Sequence, residues 1–262
     1  MRTQNKLFTL VGAGPGDPEL ISIKGIKALN TADVVLYDAL VDTSLLDHAP
    51  RAKKIFVGKR LGYKKYNQEE INTLIVQSAF NYGHVVRLKG GDPFIFGRGS
   101  EEIEYAENFG IPTAIVPGIS SATSVPASLG ISPTKRGVSE SYWIITGTTK
   151  TGSLSEDIAL AAQSTATVGI LMGMSKLLEI VKLFQQNGKG ETPVAIIQNG
   201  TLANERSGIG TINTIVEVVN QKQLSNPALI IIGETVAESH KLKDYLKNIE
   251  LKPQPTILHS TL

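Results

Sequence analysis

Val11-Gly12-Ala13-Gly14-Pro15-Gly16-Asp17-Pro18 ends the apolar run Leu7–Val11, and Gly90-Gly91-Asp92-Pro93 follows a second apolar run, Val85–Leu88. In both places a strand pattern stops in glycine. Glycine accepts positive φ and lets a backbone approach a ligand closely. In α/β folds, ligands bind at loops leaving the carboxyl ends of parallel strands. Two such loops in one α/β pattern predict a single small-molecule site built from several strand ends, and an enzyme rather than a scaffold.

Working outward, Ser22–Asn30 reads as a short helix capped by Ser22. Val34–Tyr37 is a strand ending at Asp38, and Lys54–Val57 is a strand ending at Gly58-Lys59-Arg60. Gln68–Tyr82 has helical spacing, with Ile71, Leu74, Ile75 and Ala79 on one side and Gly83 placed to stop it. Glu101–Phe109 is a helix stopped by Gly110, and Thr113–Val116 a strand stopped by Pro117-Gly118. Continuous apolar strands imply a sheet covered on both faces, and helical connections imply parallel crossovers. The character changes from Pro117 to Glu140, where small polar residues and the loop-like Ile131–Gly137 predict a junction. An N-terminal α/β domain over 1–117 and a C-terminal α/β domain over 118–262 are expected. The second holds strands at Tyr142–Thr146, Thr167–Met172, Val194–Gln198 and Ala228–Ile232, and a helix at Ser175–Gln186. Arg206–Gly210 reads as an antiparallel strand after the turn Asn199-Gly200-Thr201, and the tail from Lys252 as loose.

The 262 residues, 41% hydrophobic and 19% charged, can bury a core without staples. The absence of cysteine excludes disulfides and thiolate metal sites. His48, His84, His240 and His259 show no ligand spacing, so no metal is expected. A net charge of +2 gives no global field for nucleic acid. No apolar run is long enough for a membrane span. The start lacks a secretory apolar region, so a cytoplasmic protein is expected.

The first loop resembles a dinucleotide fingerprint, with Asp38 where a ribose-binding acid would sit. Its spacing is G-x-G-x-G, however, and Pro15 and Pro18 break the row of amide donors that pyrophosphate needs. A tight strand exit without a ligand is the plainer alternative. In the second loop, Asp92 beside close-packed backbone suits a ribose or a cation, and Phe94-Ile95-Phe96 supply apolar cover; packing on a neighbour is the alternative there. Lys59, Arg60, Arg98, Lys135 and Arg136 cluster at loop bends, where arginine forks recognise carboxylates. Lys64 and Lys65 read as solvated.

Val11–Leu20 with Val34–Val41, Val57–Arg60, Arg87–Glu102, Val116–Ser121, Leu171–Met174 and Gln198–Thr201 follow one another as in the tetrapyrrole methylases, which this chain resembles from about Leu7 to Gly233. Arg87–Gly99 is the most specific stretch. The resemblance implies S-adenosylmethionine bound in a cleft between two α/β domains, with contacts from Pro15, Gly90, Gly91, Asp92, Ile95, Ser120, Ser121, Met172 and Gly200. It implies Asp38 as proton acceptor and Lys59 as proton donor. It also implies a homodimer and a substrate rich in carboxylates, uroporphyrinogen III, methylated at C2 and C7. Arg60, Arg98, Lys135 and Arg136 would then meet the substrate's acidic chains. The chain departs from the family pattern at Ser120-Ser121, where Thr-Ala is usual, and at Thr134-Lys135-Arg136, where Thr-His-Arg is usual. The segment Leu61–Gln68 lacks the family's frequent histidine. Alternatives that stay open are a methylase acting on a later corrinoid or on RNA, a non-catalytic binding protein, and a nicotinamide oxidoreductase.

Overall fold

The computed structural model describes residues 6–58 and 66–242. Lys59, Arg60, Lys64, Lys65 and the tail from Lys252 lie outside the described residues. The chain divides into two compact units, one of residues 1–124 with 200–204, the other of residues 125–199 with 205–262.

The first unit alternates strand and helix: β1 (Leu7–Gly12), α1 (Ile23–Asn30), β2 (Val34–Tyr37), β3 (Lys53–Phe56), α2 (Gln68–Tyr82), β4 (His84–Lys89), α3 (Gly99–Glu107) and β5 (Thr113–Val116); α4 (Ser121–Ser128) starts in the first unit and ends in the second. Its five strands stand in the order β3-β2-β4-β1-β5, all parallel. Side chains alternate across the sheet. Phe8, Leu10, Leu36 and Val85 face α2 and α3, while Val11, Val35, Val86 and Leu88 face α1 and the Thr43–His48 turns. Fully burying side chains of this kind stabilises by about 1.5–3 kcal/mol each. That two-sided cover is what the unbroken apolar strands required.

Helix ends follow local chemistry. Ser22 caps α1 by accepting from Gly25 N at 3.1 Å. Asn67 and Glu70 form a reciprocal capping box on α2, and Gly83 ends that helix at φ 109°. α3 begins two residues earlier than its apolar pattern indicates, because Arg98 turns left-handed at φ 59° and Gly99 N donates to Pro93 O at 3.0 Å. α4 has no clear sequence signature: it is built of small polar residues and contains Pro126. Buried Ala122 and Val125 hold it in place.

The second unit contains β6 (Tyr142–Thr146), α5 (Asp157–Gln163), β7 (Thr167–Leu171), α6 (Leu177–Gln186), β8 (Pro193–Gln198), β9 (Arg206–Thr211), α7 (Ile215–Lys222) and β10 (Ala228–Ile232). Its sheet is mixed, in the order β6-β7-β10-β8-β9, with only β6 and β7 parallel. β9 pairs antiparallel with β8, as the short turn between them implies. Ile158, Ile180, Phe184 and Ile215 cover one face; Val125, Ile131 and Val236 cover the other.

Candidate active site

At the carboxyl edge of the first sheet, β1, β4 and β5 exit through glycines that touch one another. Gly14 and Gly91 exchange backbone hydrogen bonds, Gly91 N to Gly14 O at 2.6 Å and Gly14 N to Gly91 O at 3.3 Å. A Cβ on Gly12 would lie 2.5 Å from Gly118 Cα, and one on Gly118 would lie 2.3 Å from Gly91 O. No residue with a side chain fits at either place. Gly91 itself differs: at φ 69° its missing Cβ would meet only Ser121 N, at 4.0 Å. Its α-carbon therefore faces open space beside the start of α4. Gly90 instead packs on Leu40, where a Cβ would come to 2.8 Å.

Asp92 locks this junction. Its Oδ2 accepts from Gly118 N at 3.0 Å and its Oδ1 from Phe94 N at 2.8 Å. A carboxylate has about four acceptor positions, so capacity remains for a ligand hydroxyl. Ser120 Oγ accepts from Ala122 N at 3.2 Å, opening α4. Phe94, Ile95 and Phe96 are exposed, with Phe96 left-handed at φ 54°. The segment 200–204 belongs to this unit: Asp17 N donates to Thr201 Oγ1 at 3.2 Å. Pro15, Gly90, Gly91, Asp92, Ser120 and Gly200 thus sit on loops of the first unit, Ser121 opens α4, and Gly91 offers a space that an added Cβ would enter.

Asp38 follows β2, and its side chain is 24% exposed. Oδ1 accepts from Leu40 N at 3.1 Å, and Oδ2 accepts from Arg87 at 3.4 Å. It therefore both shapes its own loop and keeps an accessible carboxylate. Arg87 was not singled out from the sequence, nor were Lys89 and Glu102. All three are buried on the α2–α3 side of the sheet, and Glu102 Oε1 accepts from Lys89 at 3.0 Å and from Arg87 at 3.4 Å. Burial pushes the Lys89 ammonium below its ordinary range, with the Arg87 charge adding to the effect and Glu102 opposing it. The signal for this cluster was in the strand Val85-Val86-Arg87-Leu88-Lys89: two cations on one face of an otherwise apolar run require a buried counter-ion.

Arg98 is half-exposed and tied to Glu101 through bonds of 2.8 and 2.5 Å. In the second unit, Lys135 pairs with Glu238, and Arg136 is exposed. Met172 there is 48% exposed and left-handed at φ 55°. Thr148 Oγ1 donates to Met172 O at 2.9 Å, and Gly147 lies against Gly173, where a Cβ would come within 2.3 Å of Gly173 Cα. A non-glycine residue held at positive φ is a common mark of a functional position. Among the described residues, no group of three or more histidine or acidic side chains could hold a metal ion.

Residues 7–216 match the model of the tetrapyrrole (corrin/porphyrin) methylases, and the chain belongs to that family. It is 47% identical over 230 residues to a protein of Methanocaldococcus jannaschii named uroporphyrinogen-III C-methyltransferase, covering 87% of this chain and 95% of that one. It is 45% identical over 235 residues to a siroheme synthase of Escherichia coli, where it covers 89% of its own length and about half, 51%, of the relative's. Among solved structures, uroporphyrin-III C-methyltransferase of Thermus thermophilus in complex with S-adenosylhomocysteine aligns with a TM-score of 0.76 and 36% identity, over 88% of this chain and 99% of that chain.

Proposed function

We propose that this protein transfers methyl groups from S-adenosylmethionine to C2 and C7 of uroporphyrinogen III, giving precorrin-2, a precursor of siroheme and cobalamin. The observation that carries the reading is the match to the archaeal methyltransferase along nearly its whole length. The chain spans about half, 51%, of the length of the siroheme synthase, and the reading concerns only the matched half.

S-adenosylmethionine supplies an already activated methyl on a sulfonium. The open side of Gly91, with Pro15, Gly90, Asp92, Ile95, Ser120, Ser121 and Gly200 from the first unit and Met172 from the second, would hold it. The remaining task is to align a ring carbon with the S–CH₃ bond and exclude water. As the carbon becomes quaternary the macrocycle gains a positive charge, relieved by loss of a proton. Asp38 takes up that proton and stabilises the charge. In the tautomerisation that follows, Lys59 donates a proton at one ring position as another proton leaves a second position, so that one proton is released net for each methyl added. Arg60, Arg98, Lys135 and Arg136 meet the eight substrate carboxylates, Arg98 exchanging Glu101 for one of them and Lys135 exchanging Glu238. The protein acts in the cytoplasm as a homodimer, with Phe94-Ile95-Phe96 covered by the cofactor or the second subunit; light scattering at micromolar concentration checks the dimer, and a monomer contradicts it.

The test presents labelled S-adenosylmethionine with uroporphyrinogen III, a later corrinoid and RNA as competing acceptors. Label is expected on uroporphyrinogen III. Label only on another acceptor, or calorimetric binding of NAD without S-adenosylhomocysteine, overturns the reading.

A further inference from the structure

Four ionisable side chains in the first unit form one chain of contacts. Glu102, on α3, has a fully buried side chain whose Oε1 accepts from Arg87 Nε at 3.4 Å, Lys89 Nζ at 3.0 Å and Gln68 Nε2 at 3.1 Å. Its Oε2 is buried without a hydrogen-bond partner among the described residues. Arg87, 4% exposed, continues the chain. Its Nη1 donates to Leu36 O at 3.4 Å and Leu88 O at 2.9 Å, clamping the ends of β2 and β4, while Nη2 donates to Asp38 Oδ2 at 3.4 Å. Two cations and two carboxylates balance.

A tie between α3 and the sheet would be the plain reading. Buried ion clusters, however, contribute little net stability, and apolar residues of similar volume often replace them without loss. Around it this face is mostly apolar, with Asn72, which accepts from Gln68 at 3.0 Å, as a further buried polar side chain. What the cluster adds is direction: the guanidinium is a rigid fork, and Glu102 on one side fixes where its other side points. With Leu40 N on Oδ1 and Arg87 on Oδ2, the Asp38 carboxylate is held from two directions.

We propose that Glu102 is a positioning residue for methyl transfer, acting through Arg87 to fix the Asp38 carboxylate. This rests on Asp38 being the proton acceptor. Removing the Glu102 charge frees Arg87 Nε and leaves Lys89 without its counter-ion. Arg87 then shifts toward Asp38, and the carboxylate loses its alignment. The glycine junction gains and loses no contact, so S-adenosylmethionine binding is unaffected.

The test is a double-mutant cycle on the full chain with Glu102→Gln, Asp38→Asn and the combination. Single-turnover methyl transfer is measured at saturating S-adenosylmethionine and uroporphyrinogen III, and S-adenosylhomocysteine affinity by calorimetry. Glu102→Gln is expected to slow transfer roughly 10- to 100-fold, the scale of a small misplacement, with unchanged affinity. In the Asp38→Asn background it should cause no further loss, because residues acting as a unit are not additive. A wild-type rate in Glu102→Gln, or an equal slowing in both backgrounds, overturns the inference. If Asp38→Asn alone turns over at the wild-type rate, the reading of Asp38 falls first. Should Glu102→Gln fail to fold, Lys89→Met with Glu102→Gln keeps the buried charges balanced and carries the same comparison.

Discussion

A valine at position 91 would place its side chain into the open space beside Ser121 while holding φ near 69°. Left-handed backbone costs an L-residue about 1–2 kcal/mol, and more when it is β-branched. The fold can absorb that, whereas a ligand meant for the same space cannot. Gly91→Val should therefore stay folded, melt a few degrees lower and lose S-adenosylhomocysteine binding by at least about 100-fold. Unchanged affinity by calorimetry would make the loop purely structural. Gly91 and Asp38 were legible in the sequence because each ends an apolar strand abruptly. Glu102 was not: on a helix rich in exposed acids, nothing local separates a buried glutamate from a solvated one. Only the pairing of β4 with α3 distinguishes them. Lys59 and Arg60, read from the sequence as strand-end cations, fall outside the described residues.

At the scale of elements, three strand exits are held together through glycine backbone contacts and through the Asp92 carboxylate, which accepts from Gly118 N. Gly118→Ala would drive a methyl into Gly91 O and Gly12. It should cost several kcal/mol and weaken S-adenosylhomocysteine binding together with stability. Gly110→Ala makes the control: φ is 66° there, but nothing lies within 4 Å of the added carbon. That change should cost only about 1–2 kcal/mol and leave affinity alone. Equal melting temperatures for the two variants would contradict the junction. The strands feeding it were readable because a sheet covered on both faces demands unbroken apolar runs. α4 was not, since its sequence, Ser121–Ser128, mixes two alanines with Ser, Thr, Val and an internal Pro126 and shows no sustained period. Packing of Ala122 and Val125 decides it instead. α5 was missed for a different reason: it is short, and its Ile158, Ala161, Ala162 spacing is the helical signal in miniature.

Across the whole molecule, His84 sets an acid limit on stability at the opposite, amino edge of the first sheet. Its ring nitrogens meet Thr9 Oγ1 at 2.9 Å and Thr31 O at 3.1 Å, and its amide donates to Asp33 at 2.7 Å. Burial holds its pKa below the ordinary 6.5, against smaller opposing contributions from Thr31 and Asp33. The unfolded chain then binds more protons just below pH 6.5, so stability present above that value is lost as pH falls toward the folded pKa. Asp42, held low by Ser44, does not contribute in that window. The melting temperature should fall between pH 7.5 and 5.5, and His84→Gln should flatten the slope; an unchanged slope would remove His84 from the account. The organisation into α/β halves was readable from the alternation of elements, while the antiparallel pairing of β10 with β7 and β8 was not, because a strand buried on both faces looks the same in either direction. The proposed reaction is defined by where the methyl groups go. Uroporphyrinogen III incubated anaerobically with the protein and methyl-¹³C S-adenosylmethionine, followed by carbon NMR of the product, reads this directly. The account predicts two labelled methyls on ring carbons, resistant to alkali. Label absent from the macrocycle, or present only as alkali-labile carboxylate esters, would contradict it.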